Sequence, residues 1–222
     1  MFPIHDDNPT RITPFVSYAL LLACVLVFVW QLSLGDAEQQ AVYAFGVIPS
    51  VLFATKSLPA ELQLLPAWLT IFTSMFLHGG WMHLIGNMLY LWVFGKNVED
   101  AMGHRRFIMF YLLCGVIAVF AQALLQPDSE IPMIGASGAI SGVLGAYLLL
   151  HPRARILVVI PIGILIYTPW IAAYWVLGFW FVLQLVNTLL SASETGGVAY
   201  GAHLGGFVAG MLLIPLFKYR HV

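Results

Sequence analysis

The chain has 222 residues, 61% of them apolar and only 9% charged, with a formal net charge of -1 and a mean hydropathy of +0.91. Soluble domains carry roughly 25% charged residues, so the composition excludes an ordinary soluble enzyme and leaves a polytopic membrane protein. The net charge says nothing about nucleic acid, but there is no basic patch to bind it.

The length suits one membrane domain over residues 1–222, with no stretch polar enough to form a soluble appendage. Apolar runs predict spans at about 14–34, 80–95, 107–125, 137–150, 170–190 and 199–217, with an interfacial loop over about 35–79. The first run exceeds the ~7–15-residue core of a signal peptide and reads as a retained span. Leu64 to Gly95 is 32 residues, too long for one span, so its first half is expected at the interface, before His78-Gly79-Gly80. Ile156–Ile166, interrupted by Pro161 and Gly163, is too short to cross. The predicted class is an all-α bundle of six transmembrane helices.

The basic residues orient this bundle. With the N-terminus cytoplasmic, Arg11, Lys96, Arg105, Arg106, Arg153, Arg155, Lys218 and Arg220 fall inside, and of the 9 Lys and Arg only Lys56 lies outside. A seventh span at 156–166 would move Lys218 and Arg220 outside. Both termini are therefore expected on the cytoplasmic side, in a bacterial inner membrane. Cys24 and Cys114 sit inside apolar runs without a thiol or His at ligand spacing, so they read as core residues.

Polar residues within the spans carry the chemistry. Ser137, in Gly135-Ala136-Ser137-Gly138, opens a run of 14 residues ending at Leu150, roughly 20 Å of helix against a bilayer core of ~30 Å. The hydroxyl is therefore expected below the membrane surface. His203 lies 14 residues before Phe217, roughly 21 Å from the same edge, at the depth of Ser137. Imidazole can remove the proton of a serine hydroxyl as its oxygen attacks a carbonyl. His83 and Asn87, spaced i, i+4, offer two donors on one helical face near that depth, as an oxyanion site requires, with the backbone N–H of Ser137. The alternative for this pair is interhelical hydrogen bonding. Gly138, Gly142 and Ala146 on one span, and Gly206 and Gly210 on another, recur every four residues and allow two helices to approach closely. A zinc site lacks H-E-x-x-H and a mid-span carboxylate. A transporter would call for inverted repeats or an ionisable path, and neither is visible.

These motifs resemble the rhomboid family of intramembrane serine proteases. The match runs from about Leu64 to Gly210, through His83-x-x-x-Asn87, Gly135-Ala136-Ser137-Gly138 and Ala202-His203-x-x-Gly206-x-x-x-Gly210. The resemblance implies six helices, a Ser137–His203 dyad without a third acid, and hydrolysis of a peptide bond in or near another protein's membrane helix. It implies no cofactor or metal, and names transmembrane proteins and the bilayer as partners. Glu99 and Gly103 match a structural pattern of the family. The alternatives are a non-catalytic relative that binds membrane segments, and a membrane lipase or acyltransferase using the same dyad.

Two departures stand out. Leu69-Thr70 occupies the place of a Trp-Arg pair common in the first loop. Ser141 stands where many members have an aromatic ring beneath the histidine. Ser141 is therefore expected to hold the second nitrogen of His203, the competing outcome being a bond to its own i−4 carbonyl. The aromatic-rich fifth span, with Trp170, Tyr174, Trp175, Phe179 and Trp180, is expected to act as a side gate, and the link Ser191–Gly197 as a cap.

Overall fold

The structure is a computed structural model that describes residues 1–163, 165–190 and 198–219. The expected cap at Ser191–Gly197 lies outside the described residues. A strand, β1 (Phe2–Asp6), precedes helix α1 (Phe15–Ser33), and the loop that follows carries α2 (Glu38–Phe45), α3 (Pro49–Leu52) and α4 (Ala67–Thr73). Next come α5 (Trp81–Tyr90), a π-helical turn at Leu91–Gly95, α6 (Lys96–Met102), α7 (His104–Leu125) and α8 (Ser137–Leu150). Strands β2 (Arg155–Ile162), β3 (Leu165–Tyr167) and β4 (Trp170–Ala172) lead into α9 (Ala173–Leu190), and α10 (Tyr200–Phe217) closes the described fold.

Among the described residues, four helices, α1, α7, α9 and α10, are long and apolar enough to cross a membrane. The other two predicted spans take different forms. Helix α8 keeps the predicted bounds at 14 residues, roughly 21 Å. The second predicted span, about 80–95, falls on α5 and the π-helical turn, and the helix continues into α6.

The all-α expectation is corrected by a four-stranded antiparallel sheet. Strand β2 is central, pairing with β1 along one edge and with β3 and β4 along the other. Ile156 and Val158, every second residue of β2, are fully buried, as the two-residue period of a strand requires. Within the run 156–166, residues 156–162 and 165–166 lie in strands. Its β-branched residues suit a pleated surface, and Gly163, at φ +61°, supports the reversal toward β3. The start of the fifth predicted span is corrected too, since Trp170–Ala172 pairs with β2 and the helix begins at Ala173.

Carboxylates tie the sheet end of the bundle together. Helix α1 has no acidic residue in its first turn, yet its free N–H groups need acceptors. Glu99 of α6, fully buried, supplies them, accepting Val16 N–H at 2.9 Å, Ser17 N–H at 2.7 Å and the Ser17 hydroxyl at 2.7 Å. His104 meets the same carboxylate at 2.6 Å. Asp6 of β1 accepts the Tyr147 hydroxyl of α8 at 2.8 Å and pairs with Lys96 at 2.6 Å.

The centre of the molecule is α8, enclosed by α7 and α10. A Cβ on Gly206 would lie 2.0 Å from the Gly138 carbonyl oxygen, and one on Gly210 would lie 1.9 Å from that of Gly142. On the α7 side, a Cβ on Gly142 would meet Cys114 at 2.5 Å and one on Gly138 would meet Ala118 at 2.7 Å. These contacts are backbone against backbone or against short side chains, so nothing flexible can move aside. Replacing Gly210 with Ala should therefore force α10 off α8 and cost about 1–3 kcal/mol of stability. Unfolding of the detergent-solubilised protein measures this, and an unchanged midpoint would show that the helices separate freely.

Candidate active site

The chain before Ser137 is shaped by one residue without a side chain. Gly135 has φ +119°, a conformation L side chains rarely adopt. A Cβ there would also sit 2.7 Å from the His83 ring. Its N–H donates to the Ser74 carbonyl at 2.8 Å. This turn delivers Ser137 as the first residue of α8, half-buried, with a helix N-terminus directed at its surroundings.

Helix α10 brings His203 to the serine. Its Nε2 lies 2.8 Å from Ser137 Oγ, and its Nδ1 lies 2.8 Å from Gln184 Oε1. An amide oxygen only accepts, so Nδ1 carries the ring proton and Nε2 is left to accept from the serine hydroxyl. Gln184 was not singled out in the sequence. The signal available was an amide in the middle of an apolar run, where a polar side chain needs a partner. Trp180, one turn earlier on α9, faces the same imidazole with ring centroids 5.9 Å apart.

The expectation for Ser141 is corrected. Its hydroxyl donates to the Ser137 carbonyl at 2.6 Å, the i−4 bond that a buried serine in a helix makes when no other acceptor is nearer. It holds no nitrogen of His203. Of the fifth-span aromatics, Trp180 reaches the histidine, Tyr174, Trp175 and Phe179 are exposed on α9, and Trp170 belongs to β4.

His83 and Asn87 flank the turn at Gly135. Gly79 N–H donates to His83 Nδ1 at 3.3 Å, which puts the proton of the neutral ring on Nε2, one of the atoms 2.7 Å from the Cβ position of Gly135. Asn87 Nδ2 stands 3.7 Å from that position. It is buried without a hydrogen-bond partner among the described residues. An orphaned amide donor costs free energy in the resting protein, and here it lies beside the turn that leads into Ser137. A cavity of about 30 Å³, lined by Ser74, Gly135, Ser137, Ala199 and Ala202 among others, leaves room for water at the serine. The larger cavity, about 720 Å³, lies away from this chemistry within the 35–79 loop.

His78, before α5, serves the frame. Its N–H donates to Gln31 Oε1 at 2.9 Å, and Gln31 Nε2 donates to its carbonyl at 3.2 Å, tying the loop to α1. Burial first, then the neighbouring His83, pushes its pKa down to about 4 against the weaker pull of the Phe76 carbonyl. The unfolded chain, with an ordinary histidine, binds a proton the folded one refuses. Stability therefore rises with pH, and falls as pH drops from about 6.5 to about 4. Over that window wild type should lose on the order of 3 kcal/mol more than His78→Gln. Unfolding of both proteins across the range measures it, and parallel curves would show that His78 takes up its proton as readily folded as unfolded.

The arrangement also has relatives. A family model described as the rhomboid domain matches residues 66–220. The chain is 30% identical over 209 residues to the rhomboid protease GluP of Bacillus subtilis, covering 94% of this chain and 36% of that protein. It is 25% identical over 214 residues to the rhomboid protease GlpG of Salmonella newport, covering 96% of this chain and 66% of that one. With the chloroplastic rhomboid-like protein 11 of Arabidopsis thaliana it shares 28% identity over 167 residues, 69% of this chain and 54% of that protein. The chain thus spans between about a third and two thirds of the length of these relatives.

Proposed function

Because the chain belongs to the rhomboid family, we propose that this integral membrane protein is a serine endopeptidase of the intramembrane type. It hydrolyses a peptide bond in or near the transmembrane segment of a membrane-protein substrate. The observation that carries this reading is the 2.8 Å contact between Ser137 Oγ and His203 Nε2 at the start of a buried helix. Relatives whose names call them rhomboid proteases support it.

In this reading His203 takes the hydroxyl proton as Ser137 Oγ attacks the substrate carbonyl. The oxyanion that forms is met by His83 Nε2–H, Asn87 Nδ2 and the backbone N–H of Ser137. The proton passes from His203 to the leaving amine, the peptide bond breaks, and an acyl-serine remains. Water, deprotonated by the same imidazole, then hydrolyses the ester and restores the hydroxyl. No cofactor or metal enters these steps. A helical substrate must unwind to present its carbonyl, since helical carbonyls are hydrogen-bonded and shielded, so helix-weakening residues around the cut are expected.

The same proposal includes the topology. Six spans form one domain over residues 1–222, with the α5–α6 rod and the short α8 as the second and fourth. Both termini are cytoplasmic, as the distribution of Lys and Arg favours, and the membrane is taken to be a bacterial inner membrane. Substrate enters past α9, the helix with the smallest buried share among the four long apolar ones.

A fluorophosphonate probe and a fluorescent transmembrane substrate test the chemistry in detergent. Wild type should be labelled and should cleave, whereas Ser137→Ala should do neither while still folding, and His203→Ala should be comparably inactive. Equal labelling of wild type and Ser137→Ala would overturn the nucleophile. Labelling without peptide cleavage, together with turnover of a lipid ester, would favour a lipase or acyltransferase.

His83→Ala and Asn87→Ala should each lower turnover at saturating substrate by about 10²–10³-fold, the usual loss for one oxyanion donor. Wild-type turnover in both would reduce these side chains to interhelical glue.

A further inference from the structure

Resting on the protease reading above, we infer that Gln184 is a positioning residue for His203 and that the base is competent only while α9 is docked against α10. Helix α9 buries Ala173, Val176, Leu177 and Gln184 and half-buries Trp180. These residues follow the i, i+3, i+4, i+7, i+11 spacing of a single helical face. The rest of the helix is largely exposed. Gln184 is the one polar residue among those that α9 buries, where an unpaired amide would be costly. Its oxygen spends that polarity on His203 Nδ1, at 2.8 Å.

A dyad without a third acid leaves open which ring nitrogen holds the proton. In a triad the acid settles this by accepting from the nitrogen remote from the nucleophile. Here a neutral amide stands in the same relation. Ser141, nearest in sequence to that task, has its hydroxyl directed to the Ser137 carbonyl. Among the described residues, the hydrogen-bond partners of the His203 ring are Ser137 and Gln184. Trp180, at 5.9 Å and tilted 34°, limits rotation of the ring and stacks on Phe207 of α10. Both restraints come from α9. If α9 swings outward the imidazole loses its acceptor and its stacking partner together, and the proton is free to move to Nε2, where the ring cannot act as a base toward Ser137.

Among the described residues, the groups that face His203 are few. Ser137 comes from α8, Tyr200 from its own helix with ring centroids 6.3 Å apart, and His83 of α5 lies close enough for an electrostatic interaction. Gln184 and Trp180 of α9 are uncharged. Helix α7 carries its charged and histidine side chains, His104, Arg105 and Arg106, in its first turn, at the end where the chain after α10 bonds Ala101.

The test compares Gln184→Leu and Gln184→Glu with wild type, using cleavage of the fluorescent transmembrane substrate across pH. Gln184→Leu should lose at least about tenfold in kcat with little change in KM. Gln184→Glu keeps an acceptor and should retain most turnover. A carboxylate beside Nδ1 favours the imidazolium, so the acid limb of its pH profile should move to higher pH. Nitrogen-15 NMR of histidine-labelled protein, with His203→Ala to identify the signal, should find Nδ1 protonated in wild type and a tautomer mixture in Gln184→Leu. Should Gln184→Leu fail to fold, Gln184→Met replaces it. Wild-type kcat in the apolar variant, or an unmoved acid limb in Gln184→Glu, would overturn the inference. So would Nε2 protonation in wild type. Failure of wild type to label or cleave would instead remove the protease reading, and the tautomer measurement would still decide the role of Gln184.

Discussion

The contact between the backbones of α8 and α10 sets the dimensions of everything else. Apolar burial drives little association between helices inside a lipid bilayer, because lipid tails are as apolar as side chains. Packing and hydrogen bonds must do the work instead. Gly138, Gly142, Gly206 and Gly210 bring the two backbones to a separation at which a single methyl group would clash. The separation of Ser137 and His203 is the chemical consequence. A side chain as short as serine and an imidazole on a neighbouring helix meet at 2.8 Å because no other side chain holds their helices apart. Helix α8 can be short because α7 and α10 enclose it on both sides.

Against that rigid pair, α9 contributes through a narrower face. Its aromatic residues divide by environment: Trp180 packs on His203 and Phe207, while Tyr174, Trp175 and Phe179 are exposed. The most open of the four long apolar helices therefore also supplies the polar contact at the remote nitrogen of the histidine. In the proposed reading, access to the site and orientation of the base meet on one helix.

The opposite end of the bundle is organised by charge. Glu99 satisfies the first N–H groups of α1 from a different helix, and Asp6 joins the N-terminal strand to α8 through Tyr147 and to α6 through Lys96. Buried carboxylates are tolerated where their lone pairs are filled by fixed donors. These contacts anchor the ends of the helices whose other ends carry the serine and the donors around it.

Much of this was legible before any coordinates, and the reasons are physical. Helix rise per residue is constant and membrane thickness is nearly so. Run length alone therefore marked Ser137–Leu150 as a short helix and put Ser137 and His203 at one depth. Glycines at four-residue spacing marked the faces that approach. Other features could not be read this way. In a span apolar on every side there is no polar face to show which way it turns, so the inward direction of Gln184 and Trp180 emerged only when α9 was packed against α10. Whether His203 Nδ1–H would meet the Ser141 hydroxyl or another acceptor depended on which lay nearer in space, and Gln184 on α9 supplies that acceptor. The sheet needed β1 and β2, some 150 residues apart in the chain, to meet, and an apolar run such as 156–162 reads alike as strand or buried coil until its partner is known. Periodicity and length determined the helices and their depth; the orientation of helix faces and the pairing of distant segments were decided only by the tertiary structure, because both depend on neighbours the local sequence does not contain.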